Sequence, residues 1–178
     1  MKGFLKQYLF AIVVGSIDGI LSVLTLSTGK IFDKAGEGFS LNLALRVAFV
    51  TALSGSIVYF ISEYSTQRNS LINAEKELNL ADHGKFVTSN LGKQILKETF
   101  AGVLISGFFS FFGAFIPISG AVFFPQYSWL SILIALLILA ALGFSVARLV
   151  YGDSFKWIVA LVVTGIVVSF VGYKLHVI

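Results

Sequence analysis

The sequence predicts an all-α integral membrane protein built from five transmembrane helices. Hydrophobic residues make up 57% of the chain and charged residues only 12%, where a soluble domain carries about 25% charged residues. The apolar residues also come in long continuous blocks of bilayer-crossing length rather than in amphipathic stripes. Between the second and third blocks lies one long polar segment. The 178 residues include no cysteine, which excludes disulfides, thiolate metal sites and cysteine nucleophiles. A net charge of +4 is small, and the basic residues sit at block ends and in loops. Membrane topology explains that placement better than nucleic-acid binding does.

Span 1 covers about residues 6–28, roughly the length needed to cross a hydrocarbon core of about 30 Å. Its centre reads Gly15-Ser16-Ile17-Asp18-Gly19, a lone carboxylate near the midplane. An ionised side chain there costs several kcal/mol unless it meets protein, water or a cation. Gly15 and Gly19 stand in GxxxG spacing, which admits a neighbouring backbone close to the acid. Ser22 and Thr25 follow at i+4 and i+7 and continue an oxygen-bearing face. Two readings stand side by side: a binding stop for a hard cation, or a structural acid bonded to a neighbouring helix. Lys2 and Lys6 ahead of an apolar run also fit a signal peptide. The internal Asp18 and the lack of a small-residue cleavage site favour a retained span.

Span 2 runs over about 41–66, with Arg46 placed to snorkel near its start. No Gly or Pro interrupts Glu63-Tyr64-Ser65-Thr66-Gln67-Arg68-Asn69, so the helix is expected to continue into water. Ser56, Tyr59, Glu63 and Gln67 form a second oxygen-bearing stripe. The polar segment 67–94 reads as helical, with Asp82-His83-Gly84 as a turn. Span 3, about 95–118, opens near Glu98 and is expected to end at Pro117. Glu98, Gly102, Ser106 and Gly113 share a face of it. Spans 4 and 5, about 127–150 and 155–175, hold no acid in their interiors. Gly165, Ser169 and Gly172 serve as small packing positions in span 5, which is expected to be a scaffold or lipid-facing element.

With the N-terminus inside, nine basic residues fall on the inner side and four on the outer, out of 13 Lys and Arg. That asymmetry predicts N-in and C-out, with 67–94 in the cytosol. Glu63 then lies at the inner mouth below Asp18. Glu98 has a simpler account as a favourable charge at a helix N-terminus. Glu75, Glu77, Asp82 and His83 form a candidate hard-metal docking group with Glu98, since carboxylate and imidazole suit Fe²⁺ or Mn²⁺. Glu75 and Glu77 face different sides of a helix, however, which favours a solvated charge run. His176 is a lone interfacial histidine. No nucleotide-binding loop, dinucleotide fingerprint or catalytic triad is present, so an enzyme is not expected.

Three stretches resemble the vacuolar iron transporter family of iron and manganese transporters. Gly15-Ser16-Ile17-Asp18-Gly19-Ile20-Leu21 is similar to its first-helix motif. Ser54-Gly55-Ser56, Ser62-Glu63-Tyr64 and Gln67-Arg68-Asn69 resemble its second-helix ending. Gly107-Phe108-Phe109-Ser110-Phe111-Phe112-Gly113-Ala114-Phe115-Ile116-Pro117-Ile118 resembles its third-helix pattern. The resemblance implies a homodimer in a lipid bilayer, with an ion path formed mainly by first and second helices. It implies export of Fe²⁺ or Mn²⁺ from the cytosol against protons, with no bound cofactor. Asp18 matches the family's transport aspartate and Glu63 its second-helix glutamate. Tyr59 stands where many members carry a methionine, and the cytosolic segment lacks the repeated glutamates of plant members. A prokaryotic cell membrane is the expected location, or a vacuolar membrane in a eukaryote. The rival expectation is a non-transporting relative that acts as a metal-binding or assembly partner.

Overall fold

The structure is a computed structural model and describes residues 2–32, 40–77, 89–127 and 129–175. The described residues are helical apart from short connections, in the order α1 (Lys2–Phe32), α2 (Leu41–Glu77), α3 (Asn90–Phe123), α4 (Leu130–Leu149) and α5 (Ser154–Leu175). A single 3₁₀ turn, Pro125–Tyr127, joins α3 to α4. All 5 helices are long and apolar enough to cross a membrane. In the apolar interior of a bilayer a helix satisfies its own backbone, which is why these runs take that form.

The helix ends follow local chemistry. Ser89 caps α3 by accepting the Leu91 amide at 3.2 Å, and Ser40 does the same for Leu43 ahead of α2, also at 3.2 Å. At the end of α4 the Gly152 amide reaches back to the Ala147 carbonyl at 2.9 Å. This closure places Tyr151 at φ 52°, a left-handed position more usual for glycine. Asp153 then receives the Phe155 amide at 3.1 Å and starts α5.

Three helices exceed their expected limits, α1 by about one turn at each end. The 37 residues of α2 span about 55 Å at 1.5 Å per residue, well beyond a core of about 30 Å. The helix therefore does continue through Gln67-Arg68-Asn69, as the absence of breakers there foretold. α3 continues through Pro117 to Phe123 rather than stopping at the proline. Pro117 is fully buried, and packing against neighbouring helices holds the chain helical across the missing amide.

α1 lies centrally and touches all four other helices, while α3 packs along both α1 and α2. Glycines set the α1–α3 spacing. A Cβ on Gly15 would strike the Ser106 carbonyl, one on Gly19 the Ser110 carbonyl, and one on Gly113 would lie 2.8 Å from the Ser16 carbonyl. These backbones are in direct contact, the arrangement that small residues permit between membrane helices. One apolar cluster joins Val23 to Ala44, Ala48, Ala114 and Ile118 across α1, α2 and α3. A second joins Ile20 and Leu24 to Ala135 and Leu139 of α4. There, Ser27 and Ser131 share a fully buried hydrogen bond of 2.7 Å. α5 is the most outward-facing helix. Its Gly165 accommodates Leu139 and Leu136, and its Gly172 approaches the Thr25 backbone. Those two small positions serve the packing expected of them.

Candidate functional site

Asp18 stands where α1, α2 and α3 meet. The Ser110 hydroxyl of α3 donates to its Oδ2 at 3.3 Å. From α2, Gly55 comes so close that a Cβ there would lie 2.6 Å from the same Oδ2. Gly15, one turn before the acid, and Gly19, the residue after it, hold α1 against α3. The carboxylate is half-buried rather than sealed, so it remains within reach of a small ligand. Neither Ser110 nor Gly55 stands out in sequence as a contact of Asp18. The available signal was spacing: Ser110 follows Ser106 by one turn, and Gly55 precedes Tyr59 and Glu63 at i+4 and i+8.

The expected oxygen stripes are partly spent on their own helices. The Ser22 hydroxyl donates to the Asp18 carbonyl and the Thr25 hydroxyl to the Leu21 carbonyl, each at 3.0 Å. Back-bonding of this kind satisfies the donor but leaves an oxygen lone pair free. Ser56 does not face Asp18. Its hydroxyl points to α3, donating to the Val103 carbonyl at 3.5 Å and lying against Gly107. Gly55, one residue earlier, takes the place by the acid. Tyr59 is buried, with its ring tilted against Phe10 at 6.4 Å between centroids. Gly102 makes room for that ring, since a Cβ there would meet Tyr59 Cε1 and the hydroxyl oxygen at 2.8 Å.

At the end of the bundle where α2 extends, Glu63 and Glu98 are each held by a glutamine of their own helix. Gln67 donates to Glu63 Oε1 at 2.5 Å and Gln94 to Glu98 Oε1 at 2.8 Å. Arg68 is exposed and is not the partner of Glu63. Glu75 is fully buried and Glu77, two residues on, is exposed, so the two diverge as helical spacing requires. Asp82, His83 and the turn assigned to them lie outside the described residues, as does His176. Among the described residues, no three His, Asp or Glu side chains converge as a metal-holding group.

Sequence reading missed two further features. Thr99 and Ser106 carry buried hydroxyls with no hydrogen-bond partner among the described residues, on the helix that supplies Ser110. Beyond Asp18, on the side away from Glu63, a cavity of about 320 Å³ is lined by Ser22, Arg46, Val47, Val50, Thr51 and Ser54. Ser22 lies one turn from Asp18 and Thr51 one turn from Gly55, so this cavity adjoins the acid. Arg46 has no acidic partner among the described residues and gives that mouth a positive charge.

Comparison with protein-family models, with curated proteins and with solved structures found no match to this chain. Its class is defined by its own architecture: an all-helical chain with 5 helices suited to a membrane. One carboxylate is set deep among the first three of them.

Proposed function

We propose that the chain is a divalent-metal transporter that exports Fe²⁺ or Mn²⁺ from the cytosol in exchange for protons. One observation carries this reading. Among the described acidic residues, Asp18 alone lies deep within a span, at a three-helix crossing, half-buried and held by one hydroxyl. Ionisable groups in that position are rare and mark ion and proton pathways. A carboxylate that binds a hard cation when ionised releases it on taking up a proton, so one residue serves both ions. The resemblance in the first three helices supports the same assignment. Glu63 and Glu98 lie at the mouth where metal enters, with the N-terminus and the 67–94 segment in the cytosol. On the opposite side Arg46 raises the electrostatic barrier to a returning cation. A single carboxylate and its hydroxyl leave most of a metal's coordination to water or to a second copy, and the proposal takes a homodimer as the working unit.

The decisive experiment is Fe²⁺ and Mn²⁺ uptake into proteoliposomes under an imposed pH gradient, comparing wild type with Asp18→Asn. Gradient-dependent uptake that disappears in Asp18→Asn, with the variant's unfolding temperature unchanged, is the expected result. The Asp18–Ser110 bond favours a second reading, in which Asp18 ties α1 to α3 in a non-transporting binding or assembly partner. In that case wild type gives no uptake, and Asp18→Asn lowers stability instead.

A further inference from the structure

Nothing in the site above uses a concavity that opens on the outer wall of the bundle. It is a groove of about 570 Å³ between α2 and α3, lined by Ile57, Phe60, Leu96, Lys97, Phe100 and Val103, with the Ser56 hydroxyl on its floor. Ile57, Leu96 and Phe100 are exposed, although the first two flank a recess that would bury them if it were filled. The volume falls within the range of roughly 300–1,000 Å³ typical of ligand pockets. All the lining except Ser56 and Lys97 is apolar, so the occupant must present hydrocarbon along most of its length. On α3 the groove extends from Leu96 to Val103, about 10 Å of helix, starting at the polar end of the bundle.

Charge decides what kind of hydrocarbon molecule fits. Lys97 lies at that polar end, and Lys93 stands one turn earlier on the same face of α3. Neither makes an ion pair among the described residues; the bridge seen there joins Lys156 to Asp153 at 3.8 Å. The neighbouring acid Glu98 is already engaged by Gln94. Tyr64 stacks on Phe60 at 5.6 Å between centroids and carries the aromatic wall to the same level, where tyrosine prefers the membrane interface. We propose that this groove binds an anionic glycerophospholipid, with an acyl chain along Ile57, Phe60, Phe100 and Val103 and its phosphate on Lys97 and Lys93. Membrane location is the only premise it shares with the transport reading; it holds whether or not Asp18 carries metal.

The test uses the full-length protein in nanodiscs and in detergent, read by native mass spectrometry and by unfolding temperature. Added phosphatidylglycerol is expected to bind about fivefold more tightly than phosphatidylcholine of the same chain length, the contribution of roughly one lysine near a phosphate. Lys97→Gln should weaken that preference and Lys97→Gln with Lys93→Gln erase it while retaining the folded protein, and Lys156→Gln, on α5, should leave it intact. Ile57→Trp, which fills the recess, should weaken both lipids. Glycerol phosphate without acyl chains should not compete. Equal binding of the two lipids by wild type would overturn the proposal, as would an unchanged preference in Lys97→Gln. Disulfide crosslinking of Phe100→Cys between two copies would also overturn it, because the groove would then be covered by protein.

Discussion

At the scale of the residue, Asp18 is served by contacts of unequal kind, and they separate in experiment. The Ser110 hydrogen bond is long, 3.3 Å, and such a bond to a charged group contributes at most about 1.5–3 kcal/mol. Ser110→Ala is therefore expected to shift the half-saturating metal concentration in the uptake assay by no more than about a hundredfold, with transport retained. Abolished transport in this variant would give Ser110 a larger part than one hydrogen bond. Gly55→Ala differs, because its Cβ would meet the end of a flexible side chain, 2.6 Å away. Asp18 can swing aside, so stability should change little while uptake falls steeply. An unfolding temperature depressed along with uptake would contradict that account. Asp18 itself was legible in sequence, since a carboxylate amid apolar residues needs no structure to be noticed. Ser110 and Gly55 were not. Their importance depends on how three helices are rotated against each other, and serines and glycines occur on faces that turn elsewhere, as Ser56 and Gly107 do.

At the scale of the element, the sequence marked five helices because hydrocarbon length is a strong constraint, but it marked their faces weakly. In a bilayer the lipid-facing and protein-facing sides are both apolar, so periodicity carries little information. The faces that seat α3 along both the first and the second helix went unmarked. Pro117 likewise suggested an end because an isolated helix would break there, whereas buried packing carries α3 onward. The glycine contacts allow a graded prediction. Gly15 abuts backbone, which cannot yield, whereas Gly102 abuts the Tyr59 ring, which can tilt. Overpacking typically costs about 1–3 kcal/mol. Gly15→Ala should fall at or above the top of that range and Gly102→Ala near the bottom, measured by thermal unfolding in detergent. A reversed order would mean that α1 and α3 separate more readily than the ring turns.

At the scale of the whole molecule, orientation rests on the distribution of positive charge, and the cysteine-free sequence makes it directly measurable. Single cysteines at Ser40 and Gln126 should react with a membrane-impermeant maleimide on intact cells. Cysteines at Asn90 and Tyr151 should react only after permeabilisation. The opposite pattern would place the N-terminus outside and turn the proposed export into import. The transport proposed above would also require that some helices move relative to others to expose Asp18 alternately. Where glycine brings one main chain onto another, at Gly15, Gly19 and Gly113, sliding would meet a steric ratchet, and α1 and α3 would behave as one stator. α2 meets α3 through side chains such as Tyr59 and Ser56, which re-rotamerise as they pass. On the proposed transport reading α2 would thus be the rocker arm, and its long C-terminal extension the handle by which events in the aqueous phase would work it.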